Sequence, residues 1–192
     1  PFPPLKERFD RLEENLEIIT GLWQTPLGEE FDYEGTHFRL SKSPALPKPV
    51  QHPRPPIIIG GSGKKRTPAL AARFADEFNV VFQPLDVAGD LIGRVRTACV
   101  DTGRDPESLT YSAALVLCCG RDEAEFRRRA EAIGREPDEL RENGAAGTPD
   151  EVAAKIATYG ELGVTRMYLQ TLDLSDLGHL ELVASKVAPQ LA

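Results

Sequence analysis

Residues 57–68, IIIGGSGKKRTP, run three β-branched apolar residues into a glycine cluster, three cations and Thr67-Pro68. A short apolar strand that hands over to a helix through glycines is the repeating joint of a parallel α/β sheet. Consecutive glycines permit positive φ and let backbone N–H groups approach a ligand with no Cβ in the way. Unpaired amides and the positive end of the following helix dipole favour an anion there. Lys64, Lys65 and Arg66 add positive charge, and Thr67-Pro68 reads as N-cap and first helical residue. A phosphate group suits this joint, with Gly60, Gly61, Ser62, Gly63 and Arg66 as the candidate binding residues. The competing reading gives the glycines a purely geometric role and the lysines a role in solubility.

Downstream, the alternation repeats. PALAARFA reads as a helix, NVVF (79–82) as a strand, and DVAGDLIGRVRTACVDTG as a helix closed by Gly103. LTYSAALVLCC follows as a long strand and RDEAEFRRRAEAIG as a polar-faced helix. TPDEVAAKIATYGELG carries Thr148 as N-cap, Pro149 in the first turn and Glu151 at the third position; TRMYLQ is a strand and LSDLGHLELVASKVA the last helix. These make four βα units, with strands expected to be apolar on both faces and to follow one another in sequence order. Upstream, LKERFDRLEENLEIITGLW is an amphipathic helix with Phe9, Leu12, Leu16 and Ile19 expected inward, and FDYEGTHFRL has the alternation of a small hairpin. The six prolines of residues 44–56 make an extended connector without ladder hydrogen bonds. An eight-unit barrel takes about 250 residues. Four units with a preceding helix would be the second half of a (β/α)8 barrel, and a self-sufficient open α/β domain of four or five strands fits the pattern equally; either way residues 1–192 read as one domain with residues 31–56 as an excursion.

Composition narrows the function. With 192 residues, 41% hydrophobic and 28% charged, the chain has the profile of an ordinary cytoplasmic domain without a membrane span or secretory leader. A net charge of −7, with bases interleaved among acids, gives a nucleic acid no track. Cys99, Cys118 and Cys119 lack metal or disulfide spacing and read as buried thiols, while His37, His52 and His179 are scattered and read as solvated or structural, so no metal is expected. Position 58 is Ile where a Walker A loop needs Gly, and Arg66 stands where a dinucleotide fingerprint needs its third Gly. Asp76-Glu77 could be a carboxylate pair, although hydrogen bonding at a helix end is the favoured use of Asp76. Ser112 lacks a G-x-S-x-G elbow, and no catalytic residue is assigned.

The succession PFPPLKERFDRLEENLEIITGLW, FDYEGTHFRL, PKPVQHPRPPIIIGGSGKKRTPALAARFADEFN and GTPDEVAAKIATYGELGVTRMYL resembles the C-terminal part of bacterial-luciferase-like oxidoreductases, specifically the branch dependent on coenzyme F420. Pro55–Asn79 is the most specific block. The resemblance implies a TIM-type barrel with a deazaflavin, or alternatively FMN, at the C-terminal ends of the strands, its phosphate held by the amides of Gly60–Gly63. It places Asn79 near the cofactor, where the residues alone leave it equally a strand-entry position. It further implies hydride transfer or monooxygenation on a small organic substrate, by a homodimer. The contrasting function is a non-catalytic phosphate-binding module, or a barrel half that assembles with another chain.

Overall fold

The computed structural model describes residues 2–191, which fall into two compact units divided between Ile57 and Ile58. In the first unit, α1 (Leu5–Gln24) is followed by the antiparallel hairpin β1 (Phe31–Glu34) and β2 (Arg39–Ser43). The buried stripe of α1 differs from the expected one: Leu16 is buried, but Leu12 and Ile19 are exposed, and Glu14 and Ile18 take the inner positions. Glu14 is drawn in because its carboxylate accepts from the amides of Thr36 (2.8 Å), His37 (2.9 Å) and Phe38 (2.9 Å). Burial by itself would raise its pKa, but the amides of His37, Thr36 and Phe38 outweigh that and hold it below the ordinary value. The carboxylate thus pins the hairpin turn, which apolar periodicity does not register.

The second unit is a parallel sheet with helical crossovers. Its elements are β3 (Ile58–Gly60), α2 (Arg66–Phe74), β4 (Glu77–Val81), α3 (Leu85–Asp101), β5 (Thr110–Cys119), α4 (Glu123–Ala132), α5 (Pro137–Asn143), β6 (Ala145–Gly147), α6 (Pro149–Glu161), β7 (Arg166–Gln170) and α7 (Leu177–Leu182). The order is β3-β4-β5 without reversal, all parallel, and among the described residues β3 pairs only with β4. The far edge of β5 is divided: β7 pairs with Ser112–Val116 and β6 with Leu117–Cys119. The sheet therefore has five strands rather than four βα units' worth. The extra one, Ala-Ala-Gly, is too short and too small to show an alternation.

The face toward the helices carries Ile59, Phe78, Val80, Tyr111, Ala113, Leu115 and Leu117, all buried, and is the core. The opposite face is polar, which corrects the expectation of strands apolar on both sides: β4 presents Glu77 and Asn79, β5 presents Ser112, and β7 presents Arg166, Tyr168 and Gln170. Helix boundaries follow the capping chemistry in part. Thr148 and Glu151 form the expected capping box on α6, and Gly103 takes the left-handed φ of 74° after α3. On α2, however, the N-cap is Lys65 and Thr67 is already helical, because the Thr67 side chain turns into the glycine loop and is buried there.

The end of β5 is secured by side chains. His179 Nε2 accepts from the amide of Cys119 at 2.9 Å, and Arg129 donates to the Cys119 carbonyl at 2.8 Å while pairing with Asp176 at 2.7 Å. Burial, assisted by the Arg129 charge, holds His179 below its ordinary pKa, as an accepting imidazole requires. All three cysteines are buried free thiols, and burial pushes Cys118 and Cys119 up to about 11. No helix among the described residues is long and apolar enough to cross a membrane.

Candidate functional site

The C-terminal end of β3 opens into Gly61–Lys65, which joins it to α2. Gly61 adopts φ 138°, a backbone that side-chain-bearing residues rarely take. A Cβ on Gly60 would stand 3.1 Å from the Asn79 carbonyl, and one on Gly63 would stand 2.5 Å from Thr67 Oγ1. The glycines are thus required for two separate close approaches, to β4 on one side and to α2 on the other. Among the described residues, the amides of Gly61, Ser62, Gly63 and Lys64 donate to no acceptor. A run of unpaired donors at a helix N-terminus is an anion cradle in its donor chemistry. Lys64 and Lys65 are exposed beside it; Arg66 begins α2, half-buried and already engaged by other groups of the chain.

Asn79 is buried on β4 and is the register partner of Gly60, so the structure brings it to the loop as expected. It belongs to a polar chain across the sheet. Asn79 Nδ2 donates to Ser112 Oγ at 2.8 Å, and Ser112 Oγ donates to Glu77 Oε1 at 2.6 Å. The same carboxylate accepts from Tyr168 OH at 3.0 Å and pairs with Arg166. The sequence alone does not link Glu77 with Ser112. Their signal is a carboxylate two residues before Asn79 on one face of a strand, a pattern that needs the register of β5 and β7 to acquire meaning. At the rim, Phe82 follows β4 with φ 49° and an exposed ring. A groove of about 730 Å³ runs between α2 and α3, lined by Lys64, Pro68, Gly93 and Arg94 among others, and touches none of the strand residues. It lies apart from the polar chain.

A family model described as luciferase-like monooxygenase matches residues 3–137. This chain belongs to the luciferase-like monooxygenase family. One relative in the family, the F420-dependent glucose-6-phosphate dehydrogenase of Nakamurella multipartita, is 28% identical over 99% of this chain and 62% of its own length. Two solved structures share the fold at low identity. An F420-dependent secondary alcohol dehydrogenase in complex with an F420-acetone adduct superposes with a TM-score of 0.81 at 16% identity, covering all of this chain and 64% of that one. The EDTA monooxygenase of Chelativorans sp. BNC1 gives 0.78 at 19% identity, covering 99% and 62%. The chain thus spans a little under two thirds of the length of these luciferase-like relatives.

Proposed function

We propose that the protein is an oxidoreductase that binds coenzyme F420, or alternatively FMN, by its phosphate on the Gly60–Gly63 loop, with Arg66 and Asn79 adjoining. The observation that carries this is the run of unpaired amides from Gly61 to Lys64 at the C-terminal end of a parallel strand, the edge at which α/β sheets take ligands. The names of the relatives support the deazaflavin over FMN, since a phosphate cradle reads the phosphate and not the ring. The cofactor would supply hydride transfer or oxygen chemistry, and this chain's residues would bind it, orient it and exclude water. Lys64 and Lys65 would attract the anion, the loop amides would fix its oxygens, and Val81 and Phe82 would offer exposed apolar surface at the rim. The sheet would be the second half of a (β/α)8 barrel acting as a cytoplasmic homodimer on a small organic substrate.

The test is titration of the full-length protein with F420 and with FMN, followed by fluorescence, with parallel titrations of Gly61→Val and Lys64→Ala. Gly61→Val is expected to lose more affinity than Lys64→Ala at every salt concentration. The lysine effect should fade as the Debye length falls below about 8–10 Å, while the glycine effect persists. Uptake of neither cofactor by the folded protein would refute the proposal, and equal losses would reduce the loop to a charge site.

A further inference from the structure

We infer that Glu77 and Ser112 are positioning residues that lock the Asn79 side-chain amide in one orientation, presenting its oxygen to a hydroxyl or N–H donor of the cofactor. The inference rests on the cofactor reading above. Glu77 is the fixed point. Its side chain is only 4% exposed, and its oxygens face donors: the Arg166 guanidinium, the Tyr168 hydroxyl and the Ser112 hydroxyl. The Ser112 hydroxyl hydrogen is therefore committed to Glu77 at 2.6 Å; its other acceptor, the Phe78 carbonyl, lies farther away at 3.4 Å. With its hydrogen spent, Ser112 Oγ can only accept from Asn79, which sets Nδ2 toward Ser112 at 2.8 Å and turns Oδ1 the other way. A flipped amide would bring Oδ1 against the serine lone pairs with no hydrogen between them.

Among the described residues Oδ1 of Asn79 has no partner, and it stands on the polar face of the sheet in register with Gly60, whose missing Cβ leaves the approach open. A flavin or deazaflavin carries such donors on its ribityl chain and ring edge. Burying a carboxylate is costly unless it is paired and hydrogen-bonded, and a sheet that needed only to pack would place an apolar residue at position 77. The chain of donors gives this buried charge a use: it removes the twofold ambiguity of an amide beside the loop.

The experiment titrates F420 and FMN into the full-length protein and into Asn79→Ala, Ser112→Ala, the double variant, Ser112→Thr and the near-isosteric Glu77→Gln. Loss of one oriented hydrogen bond corresponds to about a five- to tenfold weaker Kd. That loss is expected for Asn79→Ala, Ser112→Ala and Glu77→Gln, with no further loss in the double variant. Ser112→Thr, which keeps the hydroxyl, should return to within about twofold of the parent, a rescue that simple packing at a buried serine would not give. Ser112→Ala should also shift the bound cofactor's absorption band in the same sense as Asn79→Ala. Single-variant losses that multiply in the double variant, or a parental Kd in Ser112→Ala or Glu77→Gln, would overturn the positioning role. Should Ser112→Ala fail to fold, Glu77→Gln and Ser112→Thr decide by the same criteria. A parent that takes up neither cofactor refutes the functional proposal, and this inference with it; a parent that binds while the Ser112 and Glu77 variants bind equally well refutes this inference alone.

Discussion

Gly63→Ala should distort the candidate anion loop through one identifiable collision. The added Cβ would meet Thr67 Oγ1 at 2.5 Å and Thr67 Cβ at 3.3 Å, and Thr67 is 4% exposed, so its side chain has nowhere to swing. Overpacking of this kind costs about 1–3 kcal/mol, and each kcal/mol lowers Tm by about 2–4 °C in a chain of this size. The loop is the cheaper part to move, so part of the cost should appear as displaced amides and weaker anion binding. Thr67→Ala removes the nearest atom, Oγ1, and leaves the milder 3.3 Å approach. The pair should therefore be coupled: Thr67→Ala should recover about 1 kcal/mol of what Gly63→Ala loses, both in thermal melts and in cofactor titrations. A double-mutant cycle measures this directly. Additive losses would show that Gly63 serves backbone freedom and not the approach to α2.

The remaining predictions concern the scaffold around the loop. Thr148→Ala removes the hydroxyl half of the α6 capping box and should cost about 1 kcal/mol in chemical denaturation, whereas Thr148→Ser should cost little. Because His179 titrates below its ordinary 6.5 in the folded chain, the unfolded chain takes up the proton first as pH falls; the histidine's contribution to stability is complete above about pH 6.5 and is lost as pH drops through the folded value. His179→Gln should flatten that part of a Tm–pH curve, and an unchanged slope would remove His179 as its source. Cys118 and Cys119, buried and with thiols pushed up to about 11, should resist a thiol reagent at pH 8 until denaturant is added; immediate labelling would contradict their burial.

What the sequence discloses tracks the range of the interaction responsible. β3, β5, α3 and α6 are legible because strand runs, caps and glycine stops act within a few residues, and the Gly60–Gly63 loop is legible for the same reason. The polar chain of the site is not local: Glu77 and Ser112 are 35 positions apart, and Arg166 is 89 from Glu77, so only the parallel register gives them a shared meaning. Glu14 misleads for the same reason, since its partners are the amides of a turn more than twenty residues later. Thr67 looks like a cap because Thr-Pro is a common helix start, but the glycines ahead of it leave room that its side chain fills. β6 is missed because a strand of Ala-Ala-Gly takes its identity from the partner strand and not from its own pattern.

The divided edge of β5 places its two spans under different mutational constraints. The lower span, Ser112–Val116, is committed to β7 and to the Glu77–Arg166 pair, so changes there must be matched on at least two other strands. The upper span, Leu117–Cys119, answers to the three small residues of β6, to Arg129 and His179, and to the cluster in which Cys118 packs with Phe126, Ala130 and Leu140. Substitutions in α4, α5 and β6 therefore act on the upper span and leave the β5–β7 pairing beneath it in place. Tolerance at the upper end and constraint at the lower end are thus set by different neighbours within a single ten-residue strand.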